Sequence, residues 1–363
     1  ITIQPKIKLD VLLTLFRYAY NLRDLRLMTD SDLDLEPEAF QDILIEQLIA
    51  EVHELLARGL HRQYKQVAAD LSVPKGRINL QQLARRGGVM DTELPVIHHP
   101  RLEDNLLNQV LLAGLNFAIP MTTDLTMRSR LRRLVSMLQV GISQITLNFT
   151  VLVRLKREMS RLTVHYEPSI TVIELLMLAS GITLEARAQQ AALPGFLFDM
   201  NLFFERLLSR FLNENLPSYT VHDQFRLKDM MAYAAEHNPK RRQAPAPRPD
   251  FVVSSGAKLI SILDAKYRDL WEKPLPRDML YQLAIYALSQ GWSGQSSILY
   301  PSLDSAPKPQ VIEIREALLG SNKAQIILKP VNLNRLSELL KDISMVGRQK
   351  RVEFAEELIH VFH

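Results

Sequence analysis

The stretch RPDFVVSSGAKLISILDAKY, from Arg248 to Tyr267, restricts the fold more tightly than any other part of the chain. Two short apolar runs, at 250–254 and 259–265, are separated by a Ser-Ser-Gly-Ala-Lys segment. Runs of this length around a Gly-containing turn predict a strand pair. Successive side chains of a strand face opposite ways, so Asp264 and Lys266 share a face. Asp250 starts the first run, and a hairpin brings it beside Asp264. Two carboxylates converging at a strand end repel each other unless a cation bridges them.

On either side of the hairpin the apolar period changes. Residues 8–60 repeat apolar side chains at i, i+3 and i+4, in VLLTLFRYAYNL and in FQDILIEQLIAEVHELLARGL, which predicts helices. Residues 61–90, with QVAADLSVPKGRINL, predict a β-hairpin-like element turning at Pro-Lys-Gly-Arg. From 101 to 192 the helical period returns. Pro194-Gly195 marks a boundary between a mainly helical region, 1–193, and a second region, 194–363. Within the second region, the Pro-rich, basic NPKRRQAPAPRPD reads as an exposed, stiff loop. Further strands are expected at 296–300, 310–315 and 324–329, with a helix across 276–290 and helices at the end. The fold class is α/β (α+β).

The 363 residues are 47% apolar and 23% charged, as in folded globular chains. The absence of cysteine excludes disulfides, thiolate metal sites, iron–sulfur clusters and cysteine nucleophiles. A net charge of +4 permits a polyanionic partner. No apolar run approaches the roughly 18 residues of a membrane span. The first residues, ITIQPKIKLD, do not resemble a signal peptide, and the first is Ile, so residues can precede it. These features lead to an expectation of a cytoplasmic protein without a membrane segment.

Magnesium suits a carboxylate pair such as Asp250 and Asp264 because it prefers oxygen ligands and keeps several waters; Mn²⁺ can substitute. A water acidified by the metal is a nucleophile, and Lys266 can orient it or stabilise charge on a phosphate. The plain alternative is a solvent-facing Asp–Lys pair at a strand edge. Three features weigh against it. Pro249 precedes Asp250, Gln282 and Tyr286 lie one turn apart on one helix face, and Glu205 falls on an apolar stripe with Phe198, Leu202 and Leu212. An acid on such a stripe needs a partner: a metal, its water shell, or Arg206 or Arg210.

Glu205, Pro249-Asp250, Asp264-Ala265-Lys266 and Gln282-x-x-x-Tyr286 together resemble the PD-(D/E)xK nuclease superfamily. That resemblance implies a C-terminal restriction-endonuclease-like core. In it Asp250, Asp264, Glu205 and the Ala265 carbonyl hold Mg²⁺, Lys266 orients the water, and Gln282 supports the lysine or the scissile phosphate. Over nearly the whole chain, FQDILIEQLIAEVHELLARGL, PKGRINL, LEDNLLNQVLLAGL and SILYP resemble, in order, the McrC family, the endonuclease subunit of a type IV restriction system. The family implies a hexameric AAA+ GTPase partner of McrB type and cleavage of double-stranded DNA carrying modified cytosine. It also implies that 1–193 dock on that GTPase and stimulate it, with Lys75 and Arg77 in VPKGRIN near the contacting tip. The chain has no G-x-x-x-x-G-K-[ST] motif, so a GTP site is not expected in it.

Lys240, Arg241, Arg242 and Arg248 lead directly into Asp250 and would contact the DNA backbone, with Tyr286 also at the DNA. The same loop can equally be a tolerated surface insertion. Arg128, Arg130, Arg132 and Arg133, and the run from Arg154 to Arg161, read as wet helix faces. His98-His99 reads as a loop pair, and Trp271 and Trp292 as packing residues. Two rival functions fit the same motifs: a stand-alone repair or recombination nuclease, and an inactive adaptor that only activates the GTPase.

Overall fold

The computed structural model describes residues 7–22, 37–87, 92–188, 199–303, 308–318 and 320–360. Helices α1 (Leu9–Tyr20) and α2 (Pro37–Arg58) come first. Strands β1 (Gln63–Tyr64), β2 (Val67–Leu71) and β3 (Arg77–Ile78) follow, then α3 (Leu80–Arg85), β4 (Leu94–His98) and β5 (Arg101–Leu102). Next are α4 (Leu106–Ala118), α5 (Leu125–Leu138), α6 (Phe149–Glu158), α7 (Glu167–Ala188) and α8 (Met200–Asn215). The remaining elements are β6 (Thr220–Asp223), β7 (Phe251–Ser255), β8 (Lys258–Ala265), α9 (Arg277–Leu288), β9 (Gly294–Ser302), β10 (Gln310–Arg315), β11 (Asn322–Asn332), α10 (Leu333–Lys341) and α11 (Met345–Ile359). This is the mixed α/β content expected from the two apolar periods.

Two compact units divide the chain: Ile1–Leu25 with Asp199–His363, and Arg26–Phe198. Pro194-Gly195 lies outside the described residues. The first 25 residues had been expected with the N-terminal region. They belong instead to the unit that contains the hairpin. The reason is aromatic packing: Phe16 of α1 stacks on Phe203 of α8 at 5.6 Å, and Tyr20 lies 6.4 Å from the same ring. Arg210 of α8 covers the Tyr18 ring at 4.8 Å and donates to the Tyr18 carbonyl. Burying Phe16 and Tyr20 contributes about 2 kcal/mol each, and α8 offers an apolar stripe at helical spacing, Phe203, Phe204, Leu207, Leu208, Phe211 and Leu212.

The six-stranded sheet of this unit has the order β10-β11-β9-β8-β7-β6. β8 and β11 both run parallel to β9, and the other pairings are antiparallel. The predicted hairpin is present, with Phe251 opposite Leu263 and Gly256 turning at φ +59°, a conformation glycine adopts without strain. On one face Ile262, Ile298 and Ile326 pack with Leu283 and Tyr286 of α9. Leu263 and Ala265 alternate to the opposite face and are equally buried, so β8 is an interior strand covered on both sides.

In Arg26–Phe198 the core is helical, with Leu44, Ile45, Leu48, Val110, Leu111, Leu134, Ile173 and Leu176 fully enclosed. Gly114 lets α4 approach α7 closely; a Cβ there would sit 2.4 Å from Ile173 Cδ1. A network of neutral groups ties the strand layer to the helices. The Tyr166 hydroxyl donates to Asn108 Oδ1 at 2.9 Å and accepts from the His61 amide at 2.7 Å, while Asn105 and Asn108 donate to the His61 carbonyl. A small β-element is present near 61–90, but not as a hairpin of β2 with β3. β2 and β3 do not pair with each other, because β4 lies between them in the order β2-β4-β3. Pro95 and Val96 of β4 are the buried residues of these three strands, so β4 takes the centre.

Candidate active site

Asp250 immediately precedes β7, and Asp264 is the penultimate residue of β8, so the hairpin register sets their carboxylates side by side. Asp250 is 6% exposed and Asp264 2%, which rules out the edge-strand surface pair as a description of this site. Lys266 Nζ lies 3.3 Å from Asp250 Oδ2 and 3.3 Å from Asp264 Oδ2. Asp250 Oδ2 also accepts from the Ala265 amide at 2.8 Å. A half-buried cation thus bridges two buried anions at the end of two paired interior strands.

The electrostatics follow from the burial. Desolvation, then the charge of Asp250, pushes the Asp264 carboxyl up to about 6. Burial would lower the Lys266 ammonium, but Asp264 and Asp250 outweigh it and the group is held above its ordinary value. Lys266 therefore keeps its proton at neutral pH. It can donate to a water or a phosphate but cannot serve as a general base.

Glu205 of α8 reaches the same end of the sheet. Its partner is Gln224, whose Nε2 donates to Glu205 Oε1 at 2.5 Å and to Asp250 Oδ1 at 2.8 Å. The arginines expected as alternatives are turned elsewhere: Arg210 pairs with Glu214, and Arg206 lies over the Tyr20 ring. Desolvation first, and Asp250 second, push the Glu205 carboxyl up. Gln224 was missed by the sequence reading. It stands 26 residues from Asp250 and meets it only because β6 pairs with β7, with Asp223 opposite Phe251.

Two expected site residues occupy different roles. Tyr286 is 1% exposed and belongs to the core under α9, so its ring is not presented to DNA. Its hydroxyl accepts from Gln282 Nε2 at 2.9 Å, which uses one N–H of that amide. Lys240, Arg241 and Arg242 are exposed, while the Arg248 guanidinium donates to the Gln224 carbonyl at 2.7 Å. Lys75 and Arg77 are exposed beside the β3 strand. Trp271 and Trp292, expected to pack, are 41% and 75% exposed. In the helical unit Arg130, Arg154 and Lys156 form ion pairs with Glu46, Glu158 and Glu174, as wet helix faces do. A cavity of about 750 Å³ is lined by Arg226, Lys228, Leu259, Ile262 and Gln290, and by none of Glu205, Asp250, Asp264 and Lys266.

Asp250 and Asp264, with the Ala265 carbonyl next to them, form a donor set of hard oxygens carrying more negative charge than one lysine offsets. That chemistry fits a magnesium-type cation. Among the described residues, no three carboxylate, imidazole or thiolate groups converge on a single cation position. The Gln224 amide stands between Glu205 and Asp250.

The sheet, hairpin and enclosed acid–lysine centre define a mixed α/β protein with a charged site at the end of its interior strands. Residues 1–301 match the family model described as McrBC 5-methylcytosine restriction system component, and the chain belongs to that family. In fold the chain is similar to a refined half-complex from the tetradecameric assembly of Thermococcus gammatolerans McrB AAA+ hexamers with bound McrC. Identity there is 22%, the TM-score is 0.59, and the match covers 96% of this chain and 76% of that one. A second match is the cryo-EM structure of the Thermococcus gammatolerans McrBC complex, at 24% identity and TM-score 0.43, covering 56% of this chain and 57% of that one. No curated protein matches the chain. Among the described residues no helix is long and apolar enough to cross a membrane.

Proposed function

We propose that this chain is the metal-dependent DNA endonuclease subunit of a GTP-dependent restriction complex, with a PD-(D/E)xK core in residues 194–363. The observation that carries the reading is Lys266 bridging the buried carboxylates of Asp250 and Asp264 at 3.3 Å each. Asp250, Asp264 and the Ala265 carbonyl hold the cation, Mg²⁺ or Mn²⁺. Bound there, it would offset the paired carboxylates and acidify the attacking water. Lys266, protonated, orients that water or stabilises charge on the phosphate. Gln282 supports the lysine or the phosphate through the carbonyl and the second N–H that its bond to the Tyr286 hydroxyl leaves free. Lys240, Arg241, Arg242 and Arg248 contact the backbone of double-stranded DNA carrying modified cytosine.

The partner is a hexameric AAA+ GTPase of McrB type, which supplies the GTP site. Family membership and the McrB-bound fold of the Thermococcus McrC complex support that pairing. Residues 1–193, less the α1 segment that packs with α8, form the docking region, with Lys75 and Arg77 at its contacting tip. The test is a reconstituted complex with GTP, Mg²⁺ and methylated DNA. Asp264→Ala should abolish cleavage while GTP hydrolysis persists, and the chain alone should cut little. Cleavage that survives Asp264→Ala would dismiss the site, and robust cutting without partner or nucleotide would favour a stand-alone nuclease.

A further inference from the structure

Gln224 is held more firmly than a spectator at the end of β6 would be. Its backbone takes φ +50°, its amide donates to the Asp250 carbonyl at 2.8 Å, and its own carbonyl accepts from Arg248 at 2.7 Å. A non-glycine residue in the left-handed region is uncommon and persists where its surroundings fix it. That fixed backbone aims the side chain into the gap between Glu205 and Asp250. There Nε2 spends one N–H on each carboxylate. The amide is neutral, so it satisfies both acceptors without offsetting either charge.

We infer that Gln224 is a positioning residue: its amide spaces Glu205 from Asp250 and has to be displaced before Glu205 can join a metal. This rests on the metal-dependent reading of Asp250 and Asp264. It accounts for an acid aimed at the cluster that nevertheless does not complete a three-carboxylate cage. A divalent ion that recruits Glu205 must break the charge-assisted hydrogen bond from Gln224 to Glu205, and that lowers its net affinity.

Mn²⁺ binding to the purified full chain, read by isothermal titration calorimetry, tests the inference. Gln224→Met keeps the length and loses the donor. Gln224→Asn suits the left-handed backbone but is too short to span both carboxylates, and it decides the matter should the Met variant not fold. Each should bind Mn²⁺ roughly tenfold more tightly, the equivalent of one charge-assisted hydrogen bond no longer displaced. In a Glu205→Gln background the gain should vanish. Unchanged or weaker binding, or a gain that survives Glu205→Gln, overturns the role of Gln224. Wild-type Mn²⁺ affinity in Asp264→Ala would instead overturn the metal site itself, a distinct outcome.

Discussion

In the helical unit the network around Asn108 is neutral and matched: the Asn108 amide, the Tyr166 hydroxyl and the His61 backbone each find a partner, and Asn108 and Tyr166 are fully enclosed, while the one buried carboxylate described there, Glu51, accepts from Gln47. At the end of the sheet, three carboxylates, Glu205, Asp250 and Asp264, share one lysine and one amide. Both clusters are hydrogen-bonded, so hydrogen bonding alone does not tell structure from chemistry. Net charge does. A neutral network gains from every bond it closes, whereas an excess of buried charge costs stability until a counter-ion arrives.

The largest effect should come from Lys266→Arg in the reconstituted complex. It keeps the positive charge but replaces a compact ammonium with a planar fork. Cleavage should fall on the order of a thousandfold, about 4 kcal/mol in the barrier. Rates close to wild type would reduce Lys266 to a charge-balancing residue and erase the difference between the two clusters.

Asn108→Ala should come next, costing the helical unit about 3 kcal/mol by leaving the Tyr166 hydroxyl and the Glu103 carbonyl buried without that partner. Urea unfolding followed by circular dichroism reads it. A change under about 0.5 kcal/mol would mean that water enters and the network is not sealed.

Asp264→Asn should act in the opposite direction. The Asp264 carboxyl is pushed up to about 6, above the roughly 3.9 of an unfolded aspartate. Its contribution to stability is therefore fully present below pH about 4 and lost as pH rises through about 6. With metal chelated, the variant should exceed wild type by about 2 kcal/mol at pH 7, with the margin shrinking as the pH falls toward 5. A less stable variant at pH 7 would show that the charged cluster is already balanced. The two substitutions thus remove comparable groups with opposite signs.

Local pattern carried much of this description. The hairpin from Phe251 to Ala265, the shared face of Asp264 and Lys266 and the strands β9 to β11 were all legible, because strand alternation and turn composition act within a few residues. The same short reach explains what went wrong. PKGR carries a turn signal, but nothing nearby shows that β4, some 20 residues on, inserts between β2 and β3. Tyr286 was expected at the DNA, and tertiary packing buries it in the core under α9.

By itself, then, the sequence determined the elements, their order and an acid–acid–lysine set on one hairpin, since those depend on period and turn chemistry. The tertiary structure alone decided that α1 packs with α8 and that Gln224 stands between Glu205 and Asp250. Those contacts join residues as much as 196 apart in the chain, from the Tyr18 hydroxyl to Glu214. Such pairings depend on aromatic surface and sheet register closing over long loops. No local periodicity encodes them.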